Sequence, residues 1–492
     1  MKGLFFYLYS IYIVKKERYY SFNYEKYQLR ILKKIIANSI NTDFNPNIKQ
    51  NKSNLVDHYQ SHFSLTNYES ILPFIEKIKQ GKLHVLTREN IEFLLKTSGT
   101  TGGHKYIPIT KKGVLDQING AKKVLCFFAY HNKNADFVHR KMIFLQGSPM
   151  LDTEFTIPSG RLSGIVYHFV PKFFQRNKLP SYKNNIIEHW ETKVNAIIDE
   201  IDKEDISIIG GIPPWCIQLF EKILLKKNIE NLSILYPNLT LYIHGGVDFS
   251  PYKDKVSKLL GNQVKTLDTF PASEGFFAIQ DHPEVQDMLL LINQGIFYEF
   301  RPLNEPKAKI ISLPEVILNT NYELIISNMS GLYRYQMGDI IQFTSLKPFR
   351  IKVAGRTKQY ISAFGEHVIG HEIDQSLAQL IQKYNLNITD FHVCPNVEHR
   401  LYEWLIEGNI QDISKLKLAS ELDNILSNKN PYYKHLIDGN IINPCNITIL
   451  NNNVFQEYRI THNKLGDQNK VVRIANDMTL YDILMDINKK SA

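Results

Sequence analysis

The strongest constraint on the fold lies between residues 140 and 345, where short apolar runs recur and each stops at a turn or a glycine. "KMIFLQG", "ISIIGG", "LTLYIHGG", "VKTLDTF" and "ELIISN" have the length and residue types of buried strands, and helical segments separate them. Strands alternating with helices predict a mostly parallel sheet covered on both faces. Residues from about 22 to 97 read instead as helices, with Tyr27, Ile31, Lys34 and Ile35 on one face. Within them "NYESILPFIEKIKQG" carries an asparagine cap, a helical apolar period and a closing Gly81. Near Arg356 the order becomes strand, helix, two strands, helix and strand, the last read from "NITILNNNVFQEYRI". The expectation is an α/β chain with a large N-terminal domain, 1–355, and a small α+β domain, 356–492.

A chain of 492 residues is too long for one ordinary core, which agrees with two domains. Lys and Arg exceed Asp and Glu by nine, but they look dispersed along the chain, which argues against a nucleic-acid partner. Cys126, Cys216, Cys394 and Cys445 are far apart and form no C-x-x-C pair. Reduced, buried thiols are expected, with neither disulfide nor zinc, and so a cytoplasmic setting. Leu4–Val14 is an apolar run whose helix would reach only ~16 Å, against ~30 Å for a bilayer core. Lys15-Lys16-Glu17-Arg18 follows it, where a secretory signal would need small residues. A helix packed on the body of the protein is expected there, and no membrane partner.

The chemistry concentrates in a few places. Leu95–Lys105 (LKTSGTTGGHK) crowds hydroxyls and glycines together. Gly99, Gly102 and Gly103 admit positive φ, so successive amides can point at one anion. Thr97, Ser98, Thr100 and Thr101 add donors, and Lys105 supplies a point charge for phosphate oxygens. Neither P-loop nor G-x-G-x-x-G spacing is present, so the stretch reads as another kind of phosphate cradle, with a flexible polar loop as the alternative. Tyr242–Gly246 ends a strand at Gly245 and Gly246, which would let a flat ring approach the backbone, though a plain strand-to-turn transition would look the same. Phe270, Ser273 and Glu274 sit at another strand end, where ligands bind in open α/β sheets, though taken alone Glu274 reads as a surface residue in a turn. Gly331–Asp339 (GLYRYQMGD) offers Arg334, whose planar fork suits phosphate or carboxylate, though a hairpin closed by Gly-Asp would look the same. His104, His168 and His244 share no ligand spacing and read as packed or hydrogen-bonded imidazoles.

Taken in order, "TSGTTGGHKYIPIT", "HGGVDFSPY", "FPASEGFFAIQD" and "GLYRYQMGDIIQF" resemble the motifs of adenylate-forming enzymes. The branch they resemble is the plant auxin-responsive acyl acid–amido synthetases (the Gretchen Hagen family) and their bacterial relatives, from about residue 55 to the C-terminus. The resemblance implies a large adenylate-forming domain and a small mobile C-terminal one. It further implies ATP and Mg²⁺, and the joining of a small carboxylic acid to an amino acid or other amine. By the same resemblance, residues 97–103 and Lys105 hold phosphates, Gly245 and Gly246 line the adenine pocket, and Ser273 contacts the nucleotide. Glu274 would hold Mg²⁺, Asp339 the ribose hydroxyls, and Arg356 would reach the nucleotide from the hinge. Lys470 matches a mobile lysine that touches the reacting carboxylate, although a solvated loop lysine fits its surroundings equally. The chain departs from the pattern at Phe270, where tyrosine is usual, and at Thr357-Lys358, where an acidic hinge residue is usual. Two other functions stay open: an aryl- or acyl-CoA ligase with a thiol acceptor, and a nucleotide-binding protein without catalysis.

Overall fold

The architecture is that of a computed structural model. It describes residues 2–44, 55–98, 104–170, 172–187, 189–246, 249–303, 309–356, 360–361, 363–364, 368–396, 398–410, 413–438, 442–462, 471–475 and 477–490. The chain divides into two compact units, residues 1–337 with 341–352, and residues 338–340 with 353–492.

The larger unit opens with helices Lys2–Phe22 and Tyr24–Ser39. The apolar run at 4–14 thus lies within a helix packed on the body, as expected. Its buried side carries Val14 against Val124, Phe127 and Phe128 of helix Lys111–Asn132. Glu17 crosses to the same helix and meets Lys123 Nζ at 2.9 Å, both groups buried. Helix Tyr68–Lys79 starts where the sequence placed it: the Asn67 and Ser70 side chains cap each other's backbone amides.

The strands in chain order are β1 (Ile91–Ser98), β2 (His104–Thr110), β3 (Lys141–Phe144), β4 (Ser159–Gly160), β5 (Lys178–Leu179), β6 (Ile206–Gly210), β7 (Leu241–Gly245) and β8 (Lys265–Ala272). After them come β9 (Gly275–Ile279), β10 (Met288–Leu290), β11 (Ile296–Pro302), β12 (Ile311–Ser312), β13 (Asn321–Asn328), β14 (Tyr335–Leu346) and β15 (Phe349–Arg356). β1 pairs antiparallel with β2 and parallel with β4. The other twelve form one sheet in the order β12-β11-β13-β14-β15-β10-β9-β8-β7-β6-β3-β5.

The α/β class is as expected, but the parallel share of the sheet is smaller than the expected majority. Parallel pairing joins β5, β3, β6, β7 and β8, whereas β8–β9, β9–β10, β10–β15, β11–β12 and β11–β13 are antiparallel. Connection length decides this. A parallel neighbour needs a crossover of about a dozen residues or more, and only two residues, Ser273 and Glu274, join β8 to β9. A second difference is β1, which falls inside the stretch read as helical. Leu94 and Leu95 are both fully buried, so adjacent positions are covered on opposite faces, which suits a strand.

The smaller unit packs helix Gly370–Tyr384 and helix Lys415–Lys429 on a three-stranded sheet of Asn387–Asn396, Leu401–Asn409 and Asn446–Leu450. Leu377, Trp404, Leu422 and Tyr433 fill its core. The expected final strand is half correct: it stops at Leu450, and Val454–Thr461 is a helix. Buried Val454, Phe455 and Tyr458 have helical rather than alternating spacing.

Gly120 tests how tightly helix Lys111–Asn132 seats on the sheet. A Cβ there would lie 2.3 Å from Cγ of Phe276, a ring buried in β9. Alanine in a helix interior normally gains about 1 kcal/mol over glycine, but overpacking a filled core costs about 1–3 kcal/mol. At this distance the clash wins, so Gly120→Ala should lower the urea midpoint; an unchanged or higher midpoint would show that the contact relaxes freely.

Candidate functional site

Parallel pairing sends the C-terminal ends of β3, β6, β7 and β8 to one edge of the sheet. At the end of β7, a Cβ on Gly245 would stand 2.5 Å from the carbonyl oxygen of Thr269 on β8, and Gly246 has φ +78°. Both positions therefore demand glycine, Gly245 because β8 packs so closely against it and Gly246 because of its backbone angle. Beside them His244 is buried, stacked on Phe249 with ring centroids 3.7 Å apart, and its Nδ1 lies 3.3 Å from Asp268 Oδ1. The Pro149 carbonyl lies 2.8 Å from His168 Nε2. His244 is thus a packed imidazole and His168 an exposed, hydrogen-bonded one, the two kinds expected.

At the end of β8, Phe270 is nearly buried and packs on Phe277 at 5.0 Å. Ser273 and Glu274 form the turn into β9, and each is half-buried. The Glu274 carbonyl accepts from Asn328 Nδ2 at 2.8 Å, while Asn328 Oδ1 accepts from the amides of Ser330 and Leu332. Ser330 Oγ in turn accepts from the Thr110 amide at 3.1 Å, and Gln117 Nε2 donates to the Ala272 carbonyl at 2.8 Å. The 328–330 turn thus ties the β8–β9 turn to the end of β2. Between them lies a small cleft of about 30 Å³, partly open to solvent, lined by Asp116, Gln117, Ser273, Glu274, Asn328 and Ser330 among others. Burial raises the Asp116 carboxyl above its ordinary range, with Lys112 at 2.7 Å pulling the other way.

The proposed phosphate cradle is flanked by a hairpin. Thr97 pairs with Lys105 and Ser98 with His104 in the antiparallel register of β1 and β2. Gly99, Thr100, Thr101, Gly102 and Gly103 lie outside the described residues, and so does Lys470. Lys105 Nζ sits 4.9 Å from the centre of the Tyr68 ring, and the Tyr68 hydroxyl accepts from the Tyr106 amide at 3.0 Å. Tyr68 therefore holds β2 and steadies the ammonium over its ring face.

Other residues fall differently. Asp339 is in β14, only 3% exposed, beside Gly338 with φ +79°. Arg356 ends β15, and its side chain lies outside the described residues. Arg334 corrects the sequence reading. Its guanidinium is buried, with Nε 3.1 and 3.2 Å from the two carboxylate oxygens of Glu299 and one terminal nitrogen 2.9 Å from each of the Gln60 and Phe63 carbonyls. A fork so occupied clamps the core and does not offer itself to a phosphate.

Tyr68, Asn328, Ser330 and Gln117 escaped the sequence reading because nothing about a helix-start tyrosine or a strand-end asparagine marks it. Two lysines also escaped. Lys178 Nζ donates to Gln146 Oε1 at 2.6 Å, and Lys193 Nζ donates to the Asn185 carbonyl at 2.8 Å and approaches that of Gln146 at 3.5 Å. Gln146 follows β3, so both ammonium groups stand at the same sheet edge as Gly245. Neither has a carboxylate partner among the described residues, and burial pushes each down to about 8. An arriving anion would find two poorly solvated cations there.

The fold is shared with adenylate-forming ligases. A structure of 2-hydroxyisobutyryl-CoA ligase in its postadenylation state, with R3-HIB-AMP, aligns over 88% of this chain and 84% of its own with TM-score 0.56 and 10% identity. "AtGH3.15 acyl acid amido synthetase in complex with 2,4-DB" aligns over 94% of both chains with TM-score 0.76 and 15% identity. Residues 17–182, 289–356 and 371–479 match the N-terminal, central and C-terminal domains of the GH3 family. The chain belongs to that family. Among its relatives are a jasmonoyl–L-amino acid synthetase of Nicotiana attenuata, JAR4, 23% identical over 58% of this chain and 60% of its own, and one of Oryza sativa subsp. japonica, GH3.5, 23% identical over 63% and 66%. The chain thus spans just under two thirds of these relatives' length.

The Arg334 clamp is testable without activity. Arg334→Met leaves the Glu299 carboxylate buried and unpaired, a loss of about 3–5 kcal/mol. Arg334→Met with Glu299→Leu should recover most of it in chemical denaturation. A single variant as stable as the parent would contradict the clamp.

Proposed function

We propose that the chain is an ATP-dependent ligase that activates a carboxylic acid as its acyl-adenylate and conjugates it to an amino acid or other amine. The observation that supports this reading is the register of β1 and β2, in which Thr97 pairs with Lys105 and Ser98 with His104 on either side of the hydroxyl- and glycine-rich stretch of sequence. Family membership supports the amide product, since relatives found by sequence are named as amino acid synthetases. The thiol-acceptor alternative has a likeness of fold alone behind it.

The residues fit Mg²⁺ modestly. Glu274 is one half-buried carboxylate beside the Ser273 hydroxyl. Among the described residues no group of three or more His, Cys, Asp or Glu could hold a metal ion. That donor set suits a hard ion bound chiefly by phosphate oxygens and water, which needs few carboxylates from protein. Such an ion would neutralise charge on the leaving pyrophosphate.

Condensation of a carboxylate with an amine fails directly because hydroxide leaves poorly. Attack of the carboxylate on the α-phosphate, with loss of pyrophosphate, makes the acyl carbon reactive toward the amine. Protein groups need only position the reactants and stabilise charge. Amides and hydroxyls of 97–103 and the Lys105 ammonium would take the β- and γ-phosphates, and the bare backbone at Gly245 and Gly246 would receive the base with Phe270 nearby. Asp339 would hold the ribose, and Arg356 would reach the nucleotide. Residues 356–492 are proposed to form a mobile domain that brings Lys470 to the reacting carboxylate. The four cysteines are free and buried, which fits a reducing cytoplasm.

Pyrophosphate release should be screened over aryl and fatty acids with a panel of amino acids, and in parallel with coenzyme A. An amide product and acid-dependent release are expected; a thioester alone would favour the alternative, and no release with any acid would favour a nucleotide-binding protein without catalysis. Loss of one aimed donor typically costs about 10²–10³ in turnover. Lys105→Ala and Asp339→Ala should each show a fall of that order while their melting curves stay cooperative. Full turnover in either removes that residue from the scheme.

A further inference from the structure

Residues 3–14 of helix Lys2–Phe22 are apolar nearly all round, and the charged run Lys15–Arg18 follows them. Such a helix is expected to be covered on every side, yet only one side is. Gly3, Ser10, Val14, Glu17 and Ser21 face the body, while Leu4, Phe5, Leu8, Tyr12, Tyr19 and Phe22 form a stripe on the opposite side, each more than half exposed. Steps of three, four and seven residues keep Leu4, Leu8, Tyr12, Tyr19 and Phe22 on one face, and Phe5 lies at its margin. Among the described residues no other element carries so many exposed large hydrophobic side chains.

The charge of the chain collects at the same place. Residues 2–39 hold eight Lys and Arg against two Glu, while the remainder holds fifty against forty-seven. The expectation of dispersed basic residues thus fails here. Of the two acids Glu17 is buried against Lys123, so its charge does not reach the surface. Lys15 and Arg18 are exposed on the first helix, and Lys26, Arg30, Lys33 and Lys34 on the second. The family match begins only at residue 17, so most of the first helix lies outside the matched span.

We infer that helices Lys2–Phe22 and Tyr24–Ser39 form a docking surface for an anionic lipid bilayer. Aromatic and leucine side chains of the stripe enter the boundary between headgroups and acyl chains, and the flanking ammonium and guanidinium groups meet lipid phosphates. Lys16 Nζ lies 5.4 Å from the centre of the Tyr12 ring and 5.8 Å from that of Tyr20. The helix lies along the bilayer: no helix of the described residues is long and apolar enough to cross a membrane. A second copy is the poorer occupant, because it would set two strongly cationic faces against each other with no countercharge. A bilayer of anionic lipid supplies both the apolar medium and the opposite sign. A ligase held there would meet apolar acids where they partition.

The full chain should be sedimented with vesicles of phosphatidylcholine alone and with vesicles containing phosphatidylglycerol, at low salt and at high salt. Binding to the anionic vesicles at least tenfold tighter than to neutral ones, and weakened by salt, is expected. Leu8→Ser with Tyr12→Ser should abolish it, and Lys15→Gln with Arg18→Gln should weaken it on the order of tenfold. These side chains are exposed, and pyrophosphate release in solution should be unchanged, so failure here is distinguishable from failure of the ligase reading. A chain that stays in the supernatant with both vesicles overturns the inference. So does a dimer, seen by sedimentation equilibrium, that Leu8→Ser with Tyr12→Ser dissociates while vesicles bind neither form.

Discussion

Parallel pairing of β3, β6, β7 and β8 is the constraint on which the candidate site depends. Strands that share a direction end together, so Gln146, Gly211, Gly246 and Ser273 follow one another along a single edge. At roughly 4.8 Å between neighbouring strands, the edge from β3 to β8 spans about 14 Å. That is room for a nucleotide base at one place and an organic acid at another. The reversal at β8–β9 is as important, because it turns the chain within two residues and leaves Ser273 and Glu274 at the rim. Asn328 then fixes that turn from the antiparallel half of the sheet.

Much of this was legible from residues alone. Four of the five strands read from apolar runs ending at glycine or a turn, those matching β3, β6, β7 and β8, are the ones that pair in parallel. The fifth, at β13, is a strand as well but pairs antiparallel with β11. Nothing in a strand's own residues states its partner's direction. Connection length does, and two-residue turns such as Ser273-Glu274 and Lys347-Pro348 were the available clue. At Gly246 the reason for glycine is local, a positive φ, whereas at Gly245 it is the carbonyl of Thr269 on the neighbouring strand, which the residues around 245 do not state.

Side-chain roles that depend on distant partners were not readable. Arg334 lies in a motif full of polar residues and looks available for phosphate, yet Glu299, thirty-five positions away, occupies its fork. Burial holds the Glu299 carboxyl above its ordinary range while Arg334, and then Gln60, draw it back. Tyr68 is similar: in sequence it is the first residue of a helix, and only the fold puts its ring beneath Lys105. Long-range geometry decided both. Charge distribution has the same character, since the excess at residues 2–39 becomes meaningful only once Glu17 is seen to be buried and the apolar stripe exposed.

The central claim is that the segment between β1 and β2 receives the polyphosphate of ATP while the base lies at the end of β7. A crystal structure with a non-hydrolysable ATP analogue measures this directly. The account predicts β- and γ-phosphate oxygens within hydrogen-bond reach of amides in 98–103 and the adenine against Gly245 and Gly246. A nucleotide bound elsewhere on the chain, or phosphates held without any contact to that segment, would contradict it.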